Sequence, residues 1–288
     1  MKILYIKNGM HAKNHNALIN YKNISYYISD NIEILNSIDL SQFDCVYIPS
    51  SPVDVRKYSN IKFLFGPHFS VFPQNNHMNL IRSKNVVYIQ PSEWASKVWQ
   101  TNEMCANIRV ESLPFGVDTE NFKEEIPLNE RNKIFIYFKG RDPSLLNFIK
   151  SFLQSKNLDF EIFNYSTRYH EETYKNCLKH SKFGIWVGIH ESQGFALEEA
   201  LSCNVPLLVW NVTSMNEEYG YNYPNIPATC IPYWDERCGE YFYNINELEP
   251  TFQKFLNNIS TYNPREYILE NLSYDKCEEK LINLVNNI

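Results

Sequence analysis

The segment Gly188–Trp210, GIHESQGFALEEALSCNVPLLVW, has the pattern of a loop, a short helix, a tight turn and a buried strand. Its middle part consists mostly of helix-forming residues, and Phe195 and Glu199 share one helix face because they lie four positions apart. A helix that begins just after a glycine leaves backbone N–H groups unpaired at its positive end, where anions bind readily. The run LLVW is typical of a strand in a parallel sheet covered on both faces. With Glu191 before the helix and Glu199 within it, the segment predicts an anion site between two carboxylates. A capped surface helix with solvated carboxylates is the open alternative.

Length and composition restrict the class of protein. A chain of 288 residues with 44% hydrophobic content can form one large α/β domain or two of ordinary size. The formal net charge of -6 argues against nucleic acid or an anionic membrane as the main partner. Twenty tyrosines provide flat surfaces on which bases or sugar rings can stack.

The cysteines and the first residues indicate the compartment. Seven scattered cysteines without a C-x-x-C pair predict reduced thiols, and neither a disulfide framework nor a metal site. The start MKILYIKNGM has no apolar signal-peptide core, and no apolar run approaches about 18 residues. We therefore expect a cytoplasmic protein without a transmembrane segment, for which peripheral membrane contact stays open.

Short apolar runs alternate with helical patterns along the whole chain, which favours parallel sheets with helices on their faces. The predicted strands are residues 1–6, 32–35, 44–48, 61–65, 86–89, 108–113, 133–138, 159–163, 183–187, 207–210 and 226–232. The predicted helices are residues 144–154, 174–181, 195–202, 247–257 and 265–287, and residues 233–243 are expected to form a surface loop and helix. No G-x-G-x-x-G follows the first strand, which argues against a dinucleotide cofactor. Ligands of such sheets approach the carboxyl ends of the strands.

Two motifs carry a family resemblance. ESQGFALEEA, residues 191–200, resembles the E-x7-E motif of GT-B-fold glycosyltransferases and is most similar to the retaining enzymes of glycosyltransferase family 4. SLPFGVDTENF, residues 112–122, resembles the P-N-G-V-D-x-x-x-F signature of that family, with Phe115 in place of the common Asn. The resemblance implies an α/β protein with two Rossmann-like domains whose parallel sheets face each other across a cleft. We expect an acceptor-binding domain at residues 1–124, a donor domain at 125–265, and a last helix at 266–288 that crosses back to the first domain.

The same resemblance implies an activity. It is the metal-independent transfer of a hexosyl group from a nucleotide-diphosphate sugar of the UDP or GDP type, with retention of anomeric configuration. The acceptor is a hydroxyl of a glycan, a lipid-linked molecule or a small molecule. Nucleic acid is not an expected partner, no cofactor is needed beyond the donor, and no D-x-D pair is present to bind a metal.

The family motifs also assign residues of this chain. Glu191 is implied to lie near the sugar hydroxyls as a catalytic residue, and Glu199 to accept hydrogen bonds from the ribose. The donor-binding segment between them comprises Gln193, Gly194, Phe195 and Ala196. His68 follows the apolar run KFLF and resembles a histidine of the acceptor domain, where it is the second catalytic candidate.

Two cations follow the predicted strand at 133–138. Lys139 and Arg141 are two residues apart and project to the same side of an extended segment, where they can neutralise a diphosphate. In family terms, KGRD resembles the segment that holds the leaving diphosphate, although the family lysine follows the arginine. Tyr165, in the loop after the next strand, is predicted to stack on the nucleobase.

Other interpretations stay open at this point. A sugar phosphorylase or a nucleotide-sugar epimerase of the same fold would share the cations and the helix start. A binding protein without turnover is favoured by the short chain and by Val-Thr-Ser at 212–214, where many relatives have a glycine-rich loop. The two cations could also lie at a solvated strand end, and His68 could be an ordinary loop residue.

Overall fold

A computed structural model describes all 288 residues, and they form two compact units. Unit 1 comprises Met1–Gly116 and Leu272–Ile288, and unit 2 comprises Val117–Asn271. The sequence-predicted boundaries, between residues 124 and 125 and between 265 and 266, both lie inside unit 2. No helix of the structure is both long and apolar enough to cross a membrane.

Unit 1 is built on a six-stranded parallel sheet with the strand order β2-β1-β3-β4-β5-β6. The strands are β1 Lys2–Ile6, β2 Ser25–Ser29, β3 Cys45–Ile48, β4 Phe63–Phe65, β5 Val86–Gln90 and β6 Arg109–Ser112. The helices that follow them are α1 Ala12–Ile19, α2 Asn75–Ile81 and α3 Glu93–Gln100. Strands β3, β4 and β5 are buried along their whole length, which is why they read as unbroken apolar runs.

Unit 2 has a five-stranded parallel sheet with the order β11-β10-β9-β7-β8. The strands are β7 Lys133–Phe138, β8 Glu161–Asn164, β9 Ser181–Val187, β10 Leu207–Trp210 and β11 Gly239–Phe242. The helices are α4 Pro143–Ser155, α5 Glu171–His180, α6 Phe195–Ser202, α7 Leu248–Asn257 and α8 Pro264–Asn271. The chain then ends in α9, Tyr274–Asn286, which belongs to unit 1. All seven cysteines are buried free thiols.

Two of the predicted strands are wrong, and in each case another segment nearby forms the edge strand of the sheet. Residues 32–35 form part of a 3₁₀ helix, Ile32–Asn36, which is capped by the Asn31 side chain, and the edge strand is Ser25–Ser29. No residue of that strand is buried, and its apolar run comprises only residues 26–28, so it lacks the longer apolar run of a covered strand.

In unit 2, residues 226–232 contain only an isolated bridge, and β11 lies where a surface loop and helix were predicted. Pro224, Pro227 and Pro232 have no N–H with which to join a ladder. The predicted helix at residues 265–287 is in fact two helices, α8 and α9, one in each unit.

Both sheets have a topological switch point. This is the place between two neighbouring strands from which the strand order proceeds towards opposite edges of the sheet. In unit 1 it lies between β1 and β3, and in unit 2 between β7 and β9. Ligands of open parallel sheets bind at the carboxyl ends of the strands at such points. The segments of interest are therefore the loops after β1 and β3 in unit 1, and after β7 and β9 in unit 2.

Candidate functional site

The end of β7 directs a lysine to the loop after β9. The Lys139 N–H donates to the Val187 carbonyl at 3.0 Å, which continues the pairing of β7 with β9 by one residue. Lys139 Nζ then donates to Glu191 Oε1 at 2.6 Å. It also lies 4.7 Å from the centre of the Tyr165 ring, in the loop after β8. The ammonium group of Lys139 thus contacts both Glu191, which is predicted to bind the sugar, and Tyr165, which is predicted to bind the base.

Arg141 is buried beside the same loop. Gly140 takes a left-handed conformation with φ +60°, and the arginine after it is only 6% exposed. Its Nη1 donates to the Gly188 carbonyl at 3.2 Å, and its Nη2 lies 3.3 Å from Glu217 Oε2. Burial lowers the pKa of the guanidinium, and Glu217 opposes that shift. The alternative of two cations at a solvated strand end is therefore wrong for Arg141.

The helix α6 begins at a glycine. Gly194 is its N-cap residue in the left-handed conformation, with φ +95°, and as a glycine it has no side chain with which to cap the helix. A Cβ at Gly194 would lie 3.6 Å from the Glu191 Cβ, so the helix start and the Lys139–Glu191 ion pair are neighbours. Phe195 and Ala196, the first residues of the helix, are half-buried. The structure thus brings cations and a helix N-terminus to one edge of the sheet, an arrangement that suits an anion.

The two carboxylates of the E-x7-E motif are not solvated. The Glu191 side chain is 14% exposed, and its backbone N–H donates to the Thr229 carbonyl at 3.0 Å. Glu199 is 5% exposed and lies near Tyr174, whose hydroxyl donates to the Ala196 carbonyl at 2.8 Å. A surface helix with solvated carboxylates is therefore excluded.

Sequence reasoning missed a buried pair beside these residues. Gln193, expected among the donor-binding residues, directs its amide nitrogen to Glu198 Oε1 at 3.1 Å and Oε2 at 3.0 Å. Glu198 is 1% exposed, and burial raises its pKa well above the usual value. In the sequence, the only indication of this contact is that Gln193 and Glu198 lie five positions apart around the start of a predicted helix. Many pairs of exposed residues have the same spacing, so the spacing alone does not predict a contact.

A second missed group lies on the other side of Glu191. His190 Nε2 is 3.7 Å from Glu218 Oε2, and both side chains are 14% exposed. Burial, with a smaller contribution from Lys139, lowers the pKa of His190 to about 4, so its imidazole is neutral at pH 7. Burial also raises the pKa of Glu218. Glu218 had no signal in the sequence, because it comes from the segment after β10.

His68 lies in unit 1, at the carboxyl end of β4. The backbone N–H of His68 donates to the Pro49 carbonyl at 3.0 Å, and the imidazole Nε2 lies 3.1 Å from Asn14 Nδ2. Because an amide nitrogen only donates, Nε2 accepts and Nδ1 carries the imidazole proton. Burial lowers the pKa of His68 to about 4, so the ring is neutral at pH 7. Asn14 lies in the first turn of α1, and His11 is the N-cap residue of that helix.

Comparisons with known proteins support the architecture. No protein-family model matches the chain, and no curated protein matches it in sequence. Among solved structures, it is similar to the lipopolysaccharide outer core galactosyltransferase WaaB in its apo form, with a TM-score of 0.55, 13% identity, and coverage of 100% of this chain and 99% of that one. It is also similar to the N-terminal domain of Candida albicans trehalose-6-phosphate phosphatase, with a TM-score of 0.58, 11% identity, and coverage of 99% and 96%.

A third similar structure is sucrose-phosphate synthase from Thermosynechococcus elongatus, with a TM-score of 0.51, 11% identity, and coverage of 93% and 82%. At these identities the similarity concerns the fold alone. The chain has the two parallel-sheet α/β domains of the GT-B fold. Since one of these neighbours is named a phosphatase and another a galactosyltransferase, the fold does not select the activity.

Proposed function

We propose that this protein is a glycosyltransferase that moves a hexosyl group from a nucleotide-diphosphate sugar to an acceptor hydroxyl. The observation that carries the proposal is the Lys139–Glu191 ion pair next to the Gly194 helix start and the buried Arg141. These groups share the edge of the sheet where ligands of this fold class bind. The E-x7-E motif, the GT-B fold and the site chemistry all support the same class of reaction.

The cations and the helix start would stabilise the departing diphosphate. An ammonium group has three N–H donors, so Lys139 can keep its bond to Glu191 and still donate to a phosphate oxygen. The guanidinium of Arg141 and the positive end of the α6 dipole add positive potential. Stabilisation of charge that develops in the transition state is the main catalytic contribution we assign to this site. A metal ion is not needed for it, and we expect EDTA to leave the rate unchanged.

The donor would be held along its length. We assign Tyr165 to the nucleobase, Glu199 to the ribose and Glu191 to the sugar hydroxyls, and retention of configuration follows from the family resemblance. Backbone groups of Gly194, Phe195 and Ala196 lie at the helix start and are assigned to the sugar and diphosphate. His68 is assigned to the acceptor domain, where its neutral imidazole can bond a sugar hydroxyl. UDP or GDP is the expected nucleotide, and a glycan, a lipid-linked molecule or a small molecule the acceptor.

Thermal stability in the presence of nucleotides tests the donor site. UDP, GDP and their glucose, galactose, N-acetylglucosamine and mannose conjugates are added to the native chain. A ligand at about 100 times its dissociation constant stabilises the folded state by roughly 2.7 kcal/mol, which raises the melting temperature measurably. Lys139→Gln and Glu199→Gln should each weaken binding about tenfold to a hundredfold, because each removes a charge-assisted hydrogen bond of about 1.5–3 kcal/mol.

Lys133→Gln is the matched control. Lys133 begins the strand that Lys139 follows, and it forms its own ion pair with Glu161 at 2.5 Å, at the opposite end of β7. This variant should bind nucleotide like the native chain. If no nucleotide raises the melting temperature, or if all three variants bind equally, the donor-site assignment is wrong. Nucleotide binding without transfer or hydrolysis of any sugar conjugate would instead favour the binding-protein alternative.

A further inference from the structure

The segment after β10 carries three tyrosines at alternate positions, in the stretch EYGYNY at residues 218–223. Tyr219 and Tyr221 are 57% and 60% exposed. The rings of Tyr221 and Tyr223 are nearly parallel, with an angle of 12° and 5.7 Å between their centres. Direct face-to-face contact between rings needs about 3.5–4.0 Å, so these two rings are offset and part of each face is not covered by the other.

This tyrosine pair is connected to the proposed donor site. The Tyr223 ring packs edge-on against His190, with 5.6 Å between the ring centres, and His190 in turn lies beside Glu218. The Tyr219 N–H donates to the Gly140 carbonyl at 2.8 Å, which attaches the segment to the turn between Lys139 and Arg141. An exposed aromatic surface therefore lies next to an imidazole and a carboxylate at the edge of the anion site.

We propose that Tyr221 and Tyr223 form the surface that binds the pyranose ring of the transferred sugar, and that Glu218 and His190 bond its hydroxyl groups. This inference rests on the proposed function and extends it to recognition of the sugar. The C–H groups on one face of a pyranose pack against aromatic rings, whose faces carry partial negative charge. A carboxylate accepts hydrogen bonds from two neighbouring hydroxyls, and a neutral imidazole both donates and accepts one.

The order of the strands separates this surface from the nucleobase. The sheet order is β11-β10-β9-β7-β8, so the loops after β8 and after β10 lie on opposite sides of the β7 and β9 ends. Tyr165 lies in the loop after β8, and the tyrosine pair lies in the segment after β10. A nucleotide-diphosphate sugar has its diphosphate between base and sugar. With the diphosphate at Lys139 and the base at Tyr165, the sugar extends towards Tyr221 and Tyr223.

Calorimetric titration of paired ligands tests the inference. The affinities of UDP and GDP are compared with those of UDP-glucose, UDP-galactose, UDP-N-acetylglucosamine and GDP-mannose in the native chain, Tyr221→Ala and Tyr223→Ala. We expect both variants to bind the preferred nucleotide sugar about fivefold to tenfold more weakly and the free nucleotide within about twofold of the native chain, because only the sugar contact is lost. Tyr221→Phe should restore the affinity because it keeps the ring.

Tyr241→Ala is the matched control. Tyr241 is 46% exposed and pairs with Tyr243 at 5.7 Å between ring centres, on the edge strand β11. The Tyr241→Ala variant should bind free nucleotides and nucleotide sugars like the native chain. An equal loss for the nucleotide and its sugar conjugate in Tyr221→Ala would show a base or diphosphate contact and overturn the inference. Unchanged affinities would overturn it as well.

Saturation-transfer NMR with methyl α-glycosides of glucose, galactose, mannose and N-acetylglucosamine separates this inference from the proposed function. A glycoside signal that is lost in Tyr221→Ala supports the sugar surface even if no nucleotide binds, in which case the glycosyltransferase proposal fails alone. If nucleotides bind but neither a glycoside signal nor a sugar-dependent gain in affinity is found, the donor site stands and the sugar surface is wrong.

Discussion

At the residue scale, Glu198 has the most unusual environment of the E-x7-E segment. It is 1% exposed, and its carboxylate accepts hydrogen bonds from one nitrogen of Gln193. An ionised carboxylate is expensive to bury with so few donors. Burial, with smaller contributions from Glu199 and Glu191, raises the pKa of Glu198 well above 4.5, against the lowering effect of Gln193. The Glu198 side chain is therefore protonated and neutral in the folded chain over a wide pH range.

This environment predicts how Glu198→Gln changes stability with pH. Below about pH 4 the carboxyl is protonated in both the folded and the unfolded chain. As the pH rises, the unfolded chain loses its proton first, so native stability falls until the folded pKa is reached. The glutamine variant does not titrate, so its free energy of unfolding should rise relative to native between pH 5 and 8, by up to about 1.4 kcal/mol per pH unit. Urea unfolding at several pH values measures this difference.

Glu279→Gln is the control for that series, because its side chain is 63% exposed on α9. Its difference from the native chain should not change with pH. A Glu198→Gln difference that is equally flat would mean that Glu198 is ionised in the folded state.

At the scale of elements, the start of α6 determines where the backbone donors lie. Gly194 holds φ +95°, a conformation that costs other residues about 1–2 kcal/mol. Space is not the constraint, since an added Cβ would meet only the Glu191 side chain at 3.6 Å or more. The glycine is required by the backbone turn that presents the first N–H groups of the helix.

Gly194→Ala should therefore lower the free energy of unfolding by about 1–2 kcal/mol and weaken nucleotide binding about tenfold, as the helix start relaxes. Chemical unfolding and calorimetric titration with UDP and GDP measure the two effects. Asn157→Ala is a suitable comparison, because Asn157 also has a positive φ, of 56°, but lies after α4. It should lose stability only. Equal effects of both variants on nucleotide affinity would contradict a special role for the α6 start.

At the scale of the whole molecule, the chain returns to unit 1 with its last helix. Glu278 is 2% exposed and accepts hydrogen bonds from Asn23 N at 2.5 Å and Nδ2 at 3.0 Å. Lys62 Nζ donates to the Val285 carbonyl at 2.9 Å. The apolar face of α9 is buried, through Cys277, Leu281 and Val285. Unit 1 is therefore completed by residues far from it in sequence.

Ending the chain at Asn271 should selectively destabilise unit 1, because it removes these bonds and exposes the surface that α9 covers. Amide hydrogen exchange should become faster in β1–β6 and stay nearly unchanged in β7–β11, which serve as the control within the same sample. Equal acceleration in both sheets, or none in either, would contradict this assignment of α9.

How far the sequence predicts this protein depends on burial. Strands such as β3 and β5 were predicted to within one residue because central strands of a parallel sheet are apolar throughout. Of the four edge strands, β6 and β8 were predicted, whereas β2 and β11 were missed, since the pairing partners of these two, rather than their own composition, make them strands. For the candidate site, too, the sequence indicated those residues that depend on local features. Lys139 and Arg141 were named because two cations directly after an apolar run are a local feature, but the extended backbone assumed between them is wrong, since Gly140 is left-handed with φ +60°.

The sequence by itself determined the alternation of strands and helices, the cations after β7 and the glycine at the start of α6, because each depends on residues close together in the chain. Only the tertiary structure decided that Tyr223 packs on His190, which Glu218 also adjoins. It also decided that α9 completes unit 1. These contacts depend on strand order and on the paths of loops, which bring distant residues together. Their effects on charge follow from burial, and burial is a property of the folded chain.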